Sequence, residues 1–312
     1  MTELSAVVLG SVNFDLIAKA DDFPSEGESV IGQDFYTAAG GKGGNQAVGL
    51  ARLGINTCMV CRIGDDYYGE QLINSLSLFG VDVSMVGIES DMNSGIAHIT
   101  VNADGQNKII IIRGANLTCS AVEVEKVKSK LDDGADALLL QMELPLTLSL
   151  KTAEYARSKN KVVVMDPAPA GFIPIDAYQF FDYLIPNETE AEALVGHSVE
   201  TNEEVMNAAK TLFDRGVKRG VIIKLGGRGA FYINQETFGF VPAPEVAVID
   251  TVAAGDAFNA GFTAYLLQGE SFEKSVEMGV LSGSLAVTKL GAQESMPSLE
   301  DIEKFLKSSF II

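Results

Sequence analysis

The chain is short of cysteine, of basic residues and of long apolar runs. Three cysteines in 312 residues (Cys58, Cys61, Cys119) do not make a disulfide framework. Cys58 and Cys61 have CxxC spacing, but they lie in the apolar run from Thr57 to Ile63, which reads as one strand. No second cysteine pair or nearby histidine completes a metal site, so these read as buried strand cysteines. Lys and Arg number 23 against 42 Asp and Glu, a formal net charge of −19. Affinity for nucleic acid comes largely from basic contacts to phosphate, which argues against a nucleic-acid partner. The same field repels a nucleotide at long range. Any phosphate site must therefore be built locally, from backbone N–H groups and a few placed cations. No segment reaches the ~18–20 uninterrupted apolar residues of a membrane span. Met1 to Ser5 carries no basic region and leads straight into a strand-like run, which argues against a signal peptide and for a cytoplasmic protein.

What the chain has is core and alternation. Hydrophobic residues make up 47%, ample for a large interior. Ala6 to Gly10 is a short apolar run closed by glycine, as a buried parallel strand reads. Strand-like runs recur at Ala137 to Met142, Val162 to Met165, Tyr183 to Ile185 and Val221 to Lys224, separated by helical patterns. This predicts one α/β unit: a three-layer sandwich with a mostly parallel sheet between helices. Runs at 14–19, 30–37, 96–101 and 108–112 interrupt the alternation, the last two around Asp104-Gly105, a hairpin signal. They predict a small β-sheet lid, inserted at about 14–38 and 95–114 of a single domain. Lys19, Asp34 and Lys108 there suit edge strands guarded against stray pairing.

The organising stretch is Asp250 to Gly261. The apolar run Val246 to Ile249 reads as a strand before it, and Ala257 to Leu267 as a helix after it. The turn between is made of small residues, which let a ligand approach the backbone. A helix start offers unpaired N–H groups and partial positive charge. An anion fits there, with Asp256 beside it as a base; a plain helix cap is the other reading of Asp256. A second small-residue loop, Gly40-Gly41-Lys42-Gly43-Gly44-Asn45, lacks the Walker A spacing and ends in Gln46 where GxGxxG needs glycine. The expected helix after it runs from Gln46 to Leu53.

Polar residues collect at the carboxyl ends of the expected strands, where open α/β sheets bind ligands. Asn13, Asp15, Lys42, Asn45 and Glu143 would form a sugar-sized cluster. Counted with Asp256 it holds three acids and one base, which suits a neutral polyol better than a sugar acid. Asn13 and Asp15 are equally open to ordinary turn chemistry. The phosphate side would use Asn187, Lys224, Arg228 and the glycines around it. Asn187 also reads as a plain N-cap for a helix over 188–195.

Gly40 to Ala47 together with Asp250 to Asp256 resemble the two signatures of the ribokinase-like sugar kinases. Asn-Glu-Thr-Glu at 187–190, Pro-Ala-Pro at 167–169 and Gly-Ala-Gln at 291–293 fit as well, and the similarity runs from Leu9 to Ser295. The resemblance implies ATP-dependent phosphorylation of the ribose 5-hydroxyl, with Mg²⁺ and activation by K⁺. It implies Asp256 as base and the backbone of Ala253, Ala254 and Gly255 as anion hole. It matches Asn13, Asp15, Gly41, Lys42, Gly43, Asn45 and Glu143 to sugar positions. Asn187, Lys224, Gly226, Gly227, Arg228, Gly229 and Gly255 match nucleotide positions, with Glu190 near the Mg²⁺ through water. Asp250, Val252, Ala286, Lys289, Gly291 and Ser295 match the K⁺ site. It further implies a homodimer through the lid. Other neutral-sugar acceptors, such as deoxyribose or a nucleoside, stay open, as does a catalytically silent sugar sensor on this fold. Lys224, Asp166 and Ala257 depart from the family's usual threonine, asparagine and threonine. Around Val280 no polar side chain resembles the usual adenine contact.

Overall fold

The structure is a computed structural model and describes residues 3–104 and 106–309. Its strands are β1 (Ser5–Leu9), β2 (Asn13–Ala20), β3 (Gly32–Gly40), β4 (Asn56–Val60), β5 (Arg62–Gly64), β6 (Gly87–Glu89), β7 (Gly95–Val101), β8 (Asn107–Ile112), β9 (Ala137–Leu140), β10 (Val162–Met165), β11 (Tyr183–Leu184), β12 (Gly220–Lys224), β13 (Ala230–Ile233) and β14 (Phe238–Val241). Its α-helices are α1 (Lys42–Arg52), α2 (Tyr67–Leu78), α3 (Ala121–Asp132), α4 (Leu146–Ser158), α5 (Glu188–Val195), α6 (Asn202–Asp214), α7 (Ala254–Leu267), α8 (Phe272–Ala286) and α9 (Leu299–Ser309).

The main sheet has the order β14-β13-β12-β11-β10-β9-β1-β4. It is parallel from β4 to β12, and β13 and β14 add an antiparallel edge. Successive side chains on a strand point to opposite faces. Val8, Leu139, Val164 and Ile222 accordingly pack with α1, α2, α7 and α8. Their neighbours Val7, Leu138, Val163 and Ile223 pack with α3, α4 and α6. Both faces are buried, which is why these strands read as unbroken apolar runs. None of the helices, among the described residues, is long and apolar enough to cross a membrane.

The lid strands form a separate sheet in the order β3-β2-β7-β8. One side of it closes over a small core of Ile17, Ala38, Ala97 and Ile99. Ile109 to Ile112 on β8 are each at least half exposed. Asp34 and Lys108 do lie on the outer strands β3 and β8, but Lys19 does not. It is on β2, between β3 and β7, with its ammonium over the Tyr36 ring. Of the expected Asp104-Gly105 turn, Gly105 lies outside the described residues.

Three local expectations are corrected. Thr57 to Ile63 is two strands: the chain breaks at Cys61, and β5 leaves the main sheet to pair with β6. Val246 to Ile249 is not a strand. Pro242 and Pro244 lack the N–H donors a new edge strand would need, and β14 already holds the edge. Instead, the N–H groups of Ile249 and Asp250 both donate to the Val287 carbonyl past the end of α8, at 2.8 and 3.2 Å. Both expected site helices also start earlier, α1 at Lys42 and α7 at Ala254, so Lys42 and Asp256 each lie in a first helical turn.

Candidate functional site

The parallel register brings the carboxyl ends of β1, β9, β10, β11 and β12 to one edge. Gly10 to Asn13, Gln141 to Glu143, Asp166, Asn187 and Lys224 follow there. The start of α1 is pressed against this edge. Gly41 has φ +85, and a Cβ there would lie 2.6 Å from the Asn13 backbone nitrogen. A Cβ on Gly43 would lie 2.7 Å from the Gly10 Cα. Gly41 and Gly43 therefore serve contact between backbones, and that contact carries Lys42 and Asn45 to the sheet edge.

Ala253 precedes α7 in the left-handed region, at φ 59 and ψ 11. A non-glycine residue there costs roughly 1 kcal/mol or more, and such strain gathers at functional turns. The turn aims the first N–H groups of α7 into the edge. Ala254 N–H reaches the Thr251 carbonyl at 3.4 Å; among the described residues those of Gly255 and Asp256 meet no carbonyl of the chain.

Asp256 is 5% exposed and is not a helix cap. Its carboxylate accepts from Asn45 Nδ2 at 2.8 Å and from Gln46 Nε2 at 3.0 Å, both from α1. Gln46 Nε2 also donates to Asp166 Oδ2 at 3.0 Å, and Lys224 Nζ donates to Asp166 Oδ1 at 2.9 Å. Asn45 Oδ1 is buried without a partner. A buried acceptor of that kind calls for a donor such as a ligand hydroxyl.

On the same edge Ser11 Oγ donates to Glu143, and Lys42 N–H reaches the same carboxylate oxygen at 3.4 Å. Asn116 Nδ2 donates to Asn13 Oδ1 at 2.9 Å. Asn13, Ser11, Asn116, Glu143 and Arg113 line a cavity of about 200 Å³. Asp15, two residues along β2 on the same face, lines an adjoining one of about 270 Å³ with Ala38, Asp250 and Gly291.

The electrostatics follow from burial and crowding. Burial, and then Glu143, Glu294 and Asp256, push the Asp15 carboxyl up to about 7. Burial also raises Asp256; Lys42 opposes this, Asp166 adds to it, and the Asn45 and Gln46 hydrogen bonds oppose it. Burial pulls Lys42 down, but Asp256, Asp166, Glu143 and Glu190 outweigh it and hold the ammonium above its ordinary range. The Asp15 value carries a prediction. The folded protein holds that proton more tightly than the unfolded chain, so the stabilisation is complete at low pH and is lost as pH rises through about 7. The thermal midpoint of the wild type, free of ligand, should therefore fall between pH 5 and 8 relative to that of Asp15→Asn. Parallel pH profiles for the two proteins would refute the assignment.

Beside the start of α7 is a cleft of about 490 Å³. Lys224, Gly226, Gly227, Gly229, Ala254 and Gly255 line its polar end. Val246, Val248, Phe258, Val280 and Val287 line its apolar end, which accounts for the exposure of Val248. The Lys224 ammonium lies 3.5 Å from where a Cβ on Gly255 would be, so a cation and the start of α7 face the same space. Three expected nucleotide or metal residues are turned to other work. Asn187 and Glu190 form the capping box of α5, with both hydrogen bonds at 2.8 Å. Arg228 pairs with Glu188 and does not line the cleft. Burial raises the Glu190 carboxyl, with Lys224 opposing.

Asp250 accepts from Val252 N–H at 3.0 Å and from Gly291 N–H at 3.1 Å, and so clamps two loops together. Ala286 and Ser295 are fully buried nearby in sequence, while Lys289 reaches away to Asp301 at 2.9 Å. One carboxylate with backbone carbonyls is a donor set that would suit a monovalent cation, while the partners Asp250 has here are N–H groups. Among the described residues no group of three or more His, Cys, Asp or Glu could hold a metal ion. Mg²⁺ fits such a site only as it commonly binds, through waters and substrate phosphates with one or two carboxylates.

Sequence reasoning missed Gln46, Gln141, Asn116 and Ser11 and did not give Asp166 a place in the site. Nothing in their spacing marks them, because each acts through a partner at least 95 residues away.

A cleft lined at its polar end by Lys224 and the start of α7, a smaller polar cavity at the same sheet edge and a buried aspartate in the first turn of α7 make the layout of a phosphotransferase acting on a sugar hydroxyl. The chain belongs to the pfkB family of carbohydrate kinases, whose model matches residues 3–299. Within it the chain is an ATP-dependent kinase of the ribokinase type. It is 35% identical over 300 residues to a ribokinase of Haemophilus influenzae, covering 96% of this chain and 97% of that one. It is 33% identical over 304 residues to a deoxyribokinase of Salmonella typhimurium, covering 97% and 99%. The solved structure of an Arabidopsis thaliana ribokinase complexed with ribose and ATP superposes with a TM-score of 0.88 at 33% identity, covering 98% of this chain and 99% of that one.

Proposed function

We propose that the chain transfers the γ-phosphoryl group of ATP to the 5-hydroxyl of D-ribose, releasing ribose 5-phosphate and ADP. The observation that carries this reading is the Asp256 carboxylate, buried in the first turn of α7 and held by Asn45 and Gln46. Asn13, Asp15, Gly41, Lys42, Gly43, Asn45 and Glu143 would hold the sugar, the acids accepting from its hydroxyls. Asp256 takes the 5-hydroxyl proton while the new O–P bond forms and the bond to the β-phosphate oxygen breaks. General-base help of this kind contributes ~10²–10⁴ in rate. The Gly255 and Asp256 N–H groups and Lys224 face the developing charge on the phosphoryl oxygens. Mg²⁺, reached through water from Glu190, would supply charge neutralisation on the nucleotide phosphates. K⁺, held by Asp250 and the carbonyls of Val252, Ala286, Lys289, Gly291 and Ser295, would steady the Asp250 to Gly255 turn. The exposed Ile109 to Ile112 face suits a homodimer through the small sheet.

The test is ADP release with ATP, Mg²⁺ and a panel of D-ribose, 2-deoxyribose, fructose and a nucleoside, each with and without K⁺. D-ribose should give the highest kcat/KM, and omission of K⁺ should lower it. No sugar-dependent ADP release would overturn the reading. The relative named deoxyribokinase makes 2-deoxyribose the second acceptor to weigh; preference for it would replace ribose and leave the chemistry standing.

A further inference from the structure

The geometry points to Gln46 as a positioning residue that fixes the base and ties it, through Asp166, to Lys224 at the nucleotide cleft. This rests on Asp256 acting as the base. Gln46 is 1% exposed, and its polar atoms are bonded to protein partners. Its side chain is fully committed. Gln141 Nε2 donates to its Oε1 at 2.8 Å. With the oxygen engaged there, the amide nitrogen must face the two carboxylates, and it donates to Asp256 Oδ1 and Asp166 Oδ2 at 3.0 Å each. Each of its two amide hydrogens therefore serves one carboxylate.

This arrangement solves a specific difficulty. Two buried carboxylates converge on one nitrogen, and they would repel each other without a shared donor. Asp166 is 2% exposed and meets Lys224 at 2.9 Å on its other oxygen. Lys224 in turn lines the nucleotide cleft beside Gly255. The chain Asp256, Gln46, Asp166, Lys224 thus runs from the proton acceptor to the phosphate-facing cation through three hydrogen bonds. A phosphate that draws on Lys224 acts on the same Asp166 carboxylate that Gln46 holds. Gln141 stands one step behind, selecting which end of the Gln46 amide faces the acids.

The test compares two near-isosteric changes, Gln46→Met and Gln46→Glu, by steady-state kinetics with ribose and ATP. Loss of a hydrogen bond that orients a metal-ligating side chain costs ~10–100-fold, and a loss of the same order is expected for one that orients a base. Gln46→Met should lower kcat by at least ~10-fold and leave both KM values within about twofold, because the polar atoms of Gln46 are all bonded within the protein. Gln46→Glu should lower kcat further, since it sets a third carboxylate between two others. Gln141→Met should lower kcat less, with the same unchanged KM values, and it keeps the question answerable if a Gln46 variant does not fold. The double variant Gln46→Met with Asp166→Asn should lose less than the sum of the two single losses, as members of one network do. Equal losses for Met and Glu, or a KM effect with kcat retained, would mean that Gln46 only fills space. If Asp256→Asn kept its rate, the base assignment would fail; normal Gln46 variants beside a dead Asp256→Asn would sink the relay alone.

Discussion

Asp256→Asn is expected to lower kcat by at least ~10²-fold while ribose binding, measured by calorimetry, stays within a few-fold. The substitution keeps the size and planarity of the side chain. One oxygen can still accept from Asn45 or Gln46, but the new amide opposes the other donor with a donor of its own. What is removed is the buried carboxylate proposed to take the sugar proton. The site around it stays in place, because α1 and α7 are positioned by buried contacts such as those of Val48, Leu50, Phe258 and Ala260, away from Asp256. Binding and chemistry should therefore separate cleanly. A variant with near-normal kcat would remove Asp256 from the base role, and one that no longer binds ribose would make it a binding residue instead.

Lys42→Met should act on the same base from a distance. Lys42 is the cation that Asp256, Asp166, Glu143 and Glu190 share, and its charge is what opposes the burial of Asp256. Among the described residues it makes no ion pair within 4.0 Å, so its ammonium is not spent on one acid. Removing it leaves burial and Asp166 to raise the Asp256 carboxyl further. A base that is protonated at a higher pH needs a more alkaline solution to work. The acidic limb of the pH profile of kcat/KM should move upward. Activity near neutrality should fall, because on that limb the ionised fraction drops tenfold for each pH unit the limb moves. Partial recovery toward alkaline pH is the signature. A uniform loss at every pH, with the limb unmoved, would give Lys42 a contact role only.

The α/β alternation, the mostly parallel sheet and the small inserted sheet were all readable from the chain, because burial on both faces writes a strand as an apolar run and burial on one face writes a helix as a period. The extents of β10 and α5 needed no tertiary knowledge, since the apolar run and the Asn187 cap are local. Polar residues at strand ends were readable for the same reason, and so were the two glycine-rich turns. Three-dimensional packing decided the rest. Val246 to Ile249 has strand composition, but only the occupied sheet edge and the Val287 carbonyl show that it walls a cleft instead. Cys61 ends one strand because the chain must leave the main sheet to reach β6, and no local signal marks that. Asn187 and Arg228 have the right identities for phosphate contacts, yet their side chains are taken by neighbours that folding supplies. Most of all, the sequence could place Asp256 beside a helix start but could not choose between cap and base. The cap is excluded by Asn45 and Gln46, some 210 residues earlier, whose amides hold the carboxylate away from its own backbone. Hydrogen bonds are directional and short-ranged, so partners that distant in sequence leave no periodicity to read; only the packing of α1 against α7 brings them together.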